Sequence, residues 1–214
     1  MTATPGVSGA SGKTLVGSVT GATVRENPSV TTLAVVLAAG SGTRFVGPTH
    51  KLLAPLRGKP VVRWSIEHAL EAGLDETIVV TGAVPLTEVV PPGATEVHNP
   101  DWEQGQASSL QAAVAYARGR GHDAIVVGLG DLPGIPPEAW RLVADSGAML
   151  ATAVIDGRKT PPVRIGASLW VELPTDGDEG ARVLMRSRPE LVVPVTCPGT
   201  PVDIDTAEDL VRWN

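Results

Sequence analysis

The residues whose types and spacing could do chemistry stand at the ends of apolar runs. Leu33-Ala34-Val35-Val36-Leu37-Ala38 leads into Gly40-Ser41-Gly42-Thr43-Arg44, and Lys51 follows closely. Small residues let successive backbone N–H groups close around phosphate oxygens as a nest. Arg44 and Lys51 could then offset polyphosphate charge. The same residues could equally form a tight strand-to-helix turn with solvated basic side chains. Gly40-x-Gly42-x-x-Phe45 lacks the third glycine of the dinucleotide fingerprint, which argues against an NAD site. A second run, Ala124–Leu129, delivers Gly130-Asp131-Leu132-Pro133. A carboxylate there suits Mg²⁺, an ion held by one or two carboxylates together with substrate phosphates. Its structural alternative is a turn-forming Asp before proline. The third feature is Val202-Asp203-Ile204-Asp205-Thr206, near the end of the chain. On a strand, Asp203 and Asp205 would share one face. Asp205 also stands three residues before Glu208, as an N-cap with a capping-box partner would. Capping is therefore expected of Asp205, and Asp203 is the better second metal ligand beside Asp131.

These residues need a scaffold of strand ends. The continuous apolar run at 33–38 suits a strand buried on both faces of a parallel sheet. Pro60, with Val61, Val62, Ile66, Ala69 and Leu70 at helical spacing and Gly73 just past the end, predicts a helix. Thr77–Val80 predicts a strand, Pro85–Val90 a short helix and Thr95–His98 a strand. Ser108–Arg118 predicts a helix with Leu110, Ala113, Val114 and Ala117 on one face. Pro136–Ala144 is a further helix. Beyond it, strands are expected near Met149–Ile155, Val163–Ile165, Leu191–Val195 and Val202–Ile204. Helices are expected at Ser168–Glu172, Gly180–Ser187 and Thr206–Trp213. Such alternation is the α/β signature. In open α/β sheets ligands bind beyond the carboxyl ends of the strands, where the loops above fall.

The composition narrows the partners. The chain has 214 residues and a formal net charge of −6. That balance argues against a dedicated nucleic-acid or membrane-surface binder, since both call for basic patches, yet it leaves room for a local site for small anions. A single cysteine, Cys197, allows no internal disulfide, so a reducing cytoplasm is the expected compartment. The four histidines are scattered, with no zinc-cluster spacing. No apolar run reaches the roughly 18 residues of a membrane span, and no secretory signal is evident. Residues 1–30 are rich in Gly, Ser and Thr and read as a flexible extension, with Leu15–Val19 or Thr23–Arg25 able to pair as an edge strand. Gly9-Ala10-Ser11-Gly12-Lys13-Thr14 imitates a P-loop, but position 7 is Val7 where that motif needs glycine. Residues 31–214 form the single α/β domain in this reading.

Several other residues have ordinary roles. His50 is expected to be a solvated loop histidine. Trp64, Trp140, Trp170 and Trp213 fall on expected helices as packing residues, and Trp102 could wall a pocket or fill core space. Cys197 has no basic neighbour to make it a nucleophile. Asp178 and Arg182 could form an i,i+4 ion pair, or Arg182 could face a ligand.

Five ordered motifs carry a resemblance. Leu37-Ala38-Ala39-Gly40-Ser41-Gly42-Thr43-Arg44 with Lys51-Leu52-Leu53 resembles the signature of the MobA-like nucleotidyltransferases. Asn99-Pro100-Asp101-Trp102, Gly105 and Ser108-Ser109-Leu110 are similar to that family's central Asn-x-x-Trp-x-x-Gly segment. Gly130-Asp131-Leu132-Pro133 resembles its metal-binding turn, Gly177-Asp178-Glu179-Gly180-Ala181-Arg182 its Gly-Asp-x-Gly-Ala-Arg segment, and Asp203-Ile204-Asp205-Thr206 its closing motif. The Ala38-Ala39-Gly40 loop looks most like the molybdenum cofactor cytidylyltransferase branch. Thr160-Pro161-Pro162 stands where that branch carries Gly-His-Pro, a departure on the acceptor side.

The resemblance implies a Rossmann-like three-layer α/β domain with a mostly parallel mixed sheet. It implies transfer of NMP, with CTP the favoured donor, to a phosphorylated acceptor such as molybdopterin, with release of pyrophosphate and Mg²⁺ as cofactor. Leu37–Arg44, Lys51, Asn99, Gly105, Ser108 and Ser109 would bind the nucleotide. Lys51, Arg44 and Asp131 would be catalytic, Asp131 and Asp203 would hold the metal, and Asp178, Arg182 and Asp205 would lie on the acceptor side. Two alternatives remain: a relative that uses a sugar phosphate or phospho-acid, and a nucleotide-binding accessory factor that serves a molybdoenzyme apoprotein without turnover.

Overall fold

A computed structural model describes residues 1–3 and 30–213. The expected extension, its candidate edge strands and the P-loop-like Gly9–Thr14 lie outside those residues, apart from 1–3 and Val30.

The first apolar run forms β1 (Thr32–Ala38), and every one of its residues is buried. It lies in a seven-stranded sheet of order β5-β4-β1-β6-β8-β7-β9. The remaining strands are β4 (Glu76–Thr81), β5 (Ala94–His98), β6 (Ala124–Leu129), β7 (Leu150–Ile155), β8 (Arg158–Gly166) and β9 (Val192–Thr196). A separate two-stranded hairpin joins β2 (Pro55–Leu56) to β3 (Lys59–Pro60). β1 pairs in parallel with β4 on one side and β6 on the other. The strand β8 runs antiparallel to both β6 and β7, while β9 returns parallel to β7. The sheet is thus mixed and mostly parallel.

Alternation along β1 builds a core on each face. Ala34, Val36 and Ala38 pack with α1 (Val61–Glu71) and α3 (Pro137–Asp145). Leu33, Val35 and Leu37 pack with α2 (Gln106–Arg120) and with Leu184 of α4 (Ala181–Ser187). In α2 the four expected core residues, Leu110, Ala113, Val114 and Ala117, are all buried. This is a three-layer α/β/α arrangement, with each helix covering apolar sheet surface that would otherwise face water. Trp140 and Trp170 are buried as expected, and the Trp170 indole N–H donates to the Ile165 carbonyl at 3.1 Å.

Three local expectations need correction. Pro85–Val90 forms one turn rather than a helix: the Leu86 carbonyl accepts from the N–H groups of Val89 and Val90 at 2.8 and 3.0 Å. Pro91 and Pro92 follow and have no N–H to continue the ladder. Val202–Ile204 is not a strand, because its backbone bond runs from Ile204 N–H to the Asp131 carbonyl, at 3.0 Å, instead of to a neighbouring strand. The β8 strand starts five residues earlier than expected, at Arg158. Pro161 and Pro162 are absorbed where the β7–β8 register shifts, between Thr152 and Ala153, since neither can donate to a ladder.

The strand order fixes where a ligand can sit. The chain passes from β1 to β4 and β5 on one side, then crosses back to β6 on the other. Beyond the carboxyl ends of β1 and β6 the connections diverge and leave a crevice, the switch point of the sheet. The glycine loop leaves β1 there, and Asp131 leaves β6 there.

Candidate active site

The crevice is a cleft with two joined compartments. The first, about 540 Å³, is lined by residues 37–44 and by Lys51, Leu52, Trp102, Gly105, Gln106, Ser109 and Asp131, among others. The second, about 600 Å³, has an apolar floor that includes Leu110, Val127, Val163 and Met185, and it is edged by Arg158, Lys159 and Arg182. Leu37, Arg44, Gln106, Leu129, Asp131, Asp178 and Asp205 line both. The carboxylates therefore stand where the compartments meet.

Lys51 lies at that junction. Its ammonium donates to Asp131 Oδ2 at 2.6 Å and to Asp205 Oδ1 at 3.1 Å, and its side chain is only 12% exposed. Burial works against its charge, but Asp131, through proximity and hydrogen bonding, and then Asp205 hold the ammonium's pKa above its ordinary value. Asp205 is also paired through Oδ2 with Arg44, at 2.8 Å, and the Arg44 side chain is 76% exposed. One largely covered and one exposed cation thus converge on Asp205.

This arrangement corrects the reading of the C-terminal motif. Asp205 does not cap the last helix, α5 (Ala207–Trp213). The cap is Thr206, whose Oγ1 accepts from Asp209 N–H at 3.2 Å, while Asp209 Oδ2 accepts from Thr206 N–H at 2.9 Å. The capping box therefore starts one residue later than the Asp205/Glu208 pairing, and the Asp205 carboxylate is free to enter the cleft. Asp203 lines the second compartment. Partial burial, then the charges of Asp205 and Asp131, push its carboxyl pKa up. Among the described residues no three Asp, Glu, His or Cys side chains close into a preformed ion cage. Such a donor set suits an ion that takes one or two carboxylates and completes its shell with water and substrate oxygens.

The glycine loop keeps its amides available. Among the described residues, the N–H groups of Gly40, Ser41, Gly42 and Thr43 donate no hydrogen bond within the protein. Gly42 sits at φ +63°, where a side chain would be strained, and a Cβ there would lie 2.9 Å from His50 Nε2. His50 is not the solvated side chain expected. It is half-buried and reaches back to Gly40. Its neighbour effects hold the imidazole pKa below the ordinary value, through burial first and the nearby Lys51 charge last.

The central segment forms the opposite wall. Trp102 packs against Gly82, where a Cβ would come within 2.6 Å of Trp102 Cβ, and this close approach brings the ring to the first compartment. Asn99 and Ser108 stand behind that wall. The Asn99 side-chain N–H₂ donates to Ser108 Oγ and Ser109 Oγ at 2.9 and 3.0 Å, and its Oδ1 accepts from Asp101 N–H. Asn99 is 3% exposed, so it orders the turn that Ser109 and Gly105 present to the cleft. Gly105, at φ +98°, lets the loop carrying Gly177 and Asp178 dock: Ala107 N–H donates to the Gly177 carbonyl at 2.9 Å, and Gly177 N–H to that of Gln104 at 3.0 Å. Asp178 and Arg182 form no ion pair with each other. Glu179 pairs with Arg186, and Arg182 lines the second compartment. Arg158 and Lys159 were not legible as site residues, because only the β7–β8 hairpin brings them to this cleft.

Comparison with known proteins agrees with this fold. A family model described as MobA-like NTP transferase domain matches residues 34–192. The chain is 34% identical over 195 residues to Nicotine blue oxidoreductase of Paenarthrobacter nicotinovorans, which covers 83% of this chain and 94% of that protein. It is 31% identical to the Purine catabolism protein PucB of Bacillus subtilis, covering 84% of this chain and 95% of that protein. Among solved structures, a nucleotidyl transferase from Methanothermobacter thermautotroptrophicus superposes with a TM-score of 0.72 at 27% identity, covering 85% of this chain and 95% of that one. Rv0371c of Mycobacterium tuberculosis, in a complex with manganese, gives a TM-score of 0.72 at 27% identity, covering 86% and 97%.

Proposed function

The chain belongs to the MobA-like NTP transferase family, and on that premise we propose that it is a Mg²⁺-dependent cytidylyltransferase acting on molybdopterin or molybdenum cofactor. The observation that carries this reading is the Lys51 ammonium held between Asp131 and Asp205 where the two compartments meet. The donor NTP occupies the first compartment, its phosphates on the free amides of residues 40–43 and on Arg44 and Lys51. Asn99 and Ser108 act through the turn they order, and Gly105 and Ser109 border the nucleoside. The acceptor lies in the second compartment, against its apolar floor, with Arg182, Asp178 and the Arg158–Lys159 pair at its edge.

Asp131, with Asp205 or Asp203, would hold the divalent ion, which supplies charge stabilisation for the phosphates when bound. The acceptor phosphate oxygen attacks the α-phosphorus, and the bond to the pyrophosphate oxygen breaks. No covalent chemistry is asked of the side chains. Lys51 loses carboxylate contact as phosphate arrives and offsets the charge that develops on it, while the loop amides act as fixed donors. Pairing Lys51 with carboxylates beforehand keeps it charged and ordered in a half-buried place.

The test is pyrophosphate release on incubation with each NTP, Mg²⁺ and molybdopterin. Release with CTP, above the other three, is expected, and none with any NTP would sink the proposal. Release that requires a sugar phosphate or phospho-acid instead would move the acceptor assignment and leave the transferase in place. CTP binding without turnover, unaffected by Asp131→Ala, would indicate the accessory role. The name of the Paenarthrobacter relative raises a redox activity, which would appear as oxidation or reduction of a substrate with no pyrophosphate released.

A further inference from the structure

His50 stands between the two stretches to which phosphate binding is assigned above. Backward along the chain, its Nε2 lies 3.1 Å from the Gly40 carbonyl oxygen. Forward, it is the N-cap of the short 3-10 helix Lys51–Leu53, and its Nδ1 accepts from Leu52 N–H at 3.3 Å. An amide N–H can only donate, so Nδ1 must carry a lone pair, and Nε2 then carries the proton that goes to Gly40. Both ring nitrogens are thus committed, in one neutral tautomer. The ring rests against Gly42, where a Cβ would lie 2.9 Å from Nε2, so the αL glycine and the imidazole fit each other.

We infer that His50 is a positioning residue: its neutral imidazole clamps the glycine loop to the Lys51 turn, and its protonation undoes the clamp. A proton on Nδ1 leaves Leu52 N–H without its acceptor and places two N–H groups where one donor and one acceptor are needed. It also sets a second cation beside Lys51, the charged group that acts on the ring and whose own charge is held by Asp131 and Asp205. The carbonyls of Gly40 and Ser41 are the groups facing the ring from the loop, and they do not titrate. The consequence for turnover rests on the nucleotidyltransferase reading, whereas the clamp rests on geometry alone.

The variants separate the two bonds. His50→Gln keeps a donor able to reach Gly40 and does not titrate, His50→Asn keeps an acceptor for Leu52 N–H, and His50→Ala keeps neither. At pH 8, His50→Ala should raise KM for the nucleotide about tenfold with kcat within about threefold of wild type, since the loss is in phosphate grip. His50→Gln should recover most of it. In wild type, kcat/KM should decline as the pH falls below the ordinary histidine value of 6.5, and His50→Gln should lack that acid limb. A His50→Ala protein with wild-type KM and an unchanged acid limb overturns the inference, as does a variant whose only change is a lower Tm. NMR of the wild-type ring nitrogens should show the Nε2–H tautomer, and backbone order parameters over residues 40–43 should fall in His50→Ala. These two readings need no substrate. If no nucleotide is turned over by the wild type, the nucleotidyltransferase reading falls, and unchanged order parameters still refute the clamp.

Discussion

Two stretches of chain bring charge to the same cleft by different means. The loop after β1 leaves a strand that is hydrogen-bonded on both sides and buried along its length. The stretch at 199–206 comes after β9, an edge strand paired only with β7, and two backbone bonds moor it to the turn after β6: Thr200 N–H to the Gly134 carbonyl at 2.9 Å, and Ile204 N–H to that of Asp131 at 3.0 Å. Ile204 is its anchor in the core, fully buried with Ala54, Leu56 and Val61. The first stretch is positioned by the sheet, and the second by the very turn whose Asp131 it joins. The family match ends at residue 192, ahead of the second stretch. A site can thus combine a rigid, strand-fed half with a half held by a few tertiary contacts.

Removing charge at the junction of the two halves should matter most. Asp131→Ala should lower pyrophosphate release by about 10²–10⁴, equivalent to roughly 3–5 kcal/mol in the barrier. Asp205→Ala should come nearer to that loss than Asp203→Ala, because Asp205 shares Lys51 with Asp131. The reverse order in a steady-state assay would hand the junction to Asp203.

A second break lies in the anchor. Ile204→Ala should cost about 2–4 kcal/mol of stability by emptying part of the small core under the second stretch. Denaturant melts would measure it, and a loss under about 1 kcal/mol would mean that Ile204 is not what holds the stretch. The smallest effect is expected at the cap. Thr206→Ala should cost about 1 kcal/mol by unmaking the capping box. Paired with unchanged binding by the β1 loop, it would show that the two halves fail independently. A Thr206→Ala protein as stable as wild type would return the cap to Asp205.

Much of the scaffold was legible because its signals are local. A continuous apolar run can only be satisfied with sheet neighbours and helices on both faces, so 33–38 and 124–129 read directly as buried strands. Proline before and glycine after α1 act through their own backbone restrictions, and α2 shows its core face in residue spacing. The two turns that bear Gly40–Arg44 and Asp131 follow from those strands, since strand ends are where an open sheet leaves its crevice. The Pro85–Val90 segment shows the limit of local pattern: its spacing admits a helix, but consecutive prolines stop it after one turn.

The sequence by itself determined the α/β layers, the glycine loop after β1, the Asp131 turn and the family resemblance, because each depends on neighbours in the chain and on burial that periodicity reveals. Only the tertiary structure decided which carboxylate takes Lys51, that Thr206 rather than Asp205 caps α5, that His50 spans from Gly40 to Leu52, and that Arg158, Lys159 and Arg182 edge one compartment. Those outcomes turn on contacts between residues far apart in the chain or on the choice between two equally good local partners. Asp205 and Thr206 are both competent caps. The pull of Lys51 and Arg44 on a carboxylate, felt only once β1, β6 and the C-terminal stretch meet, selects between them.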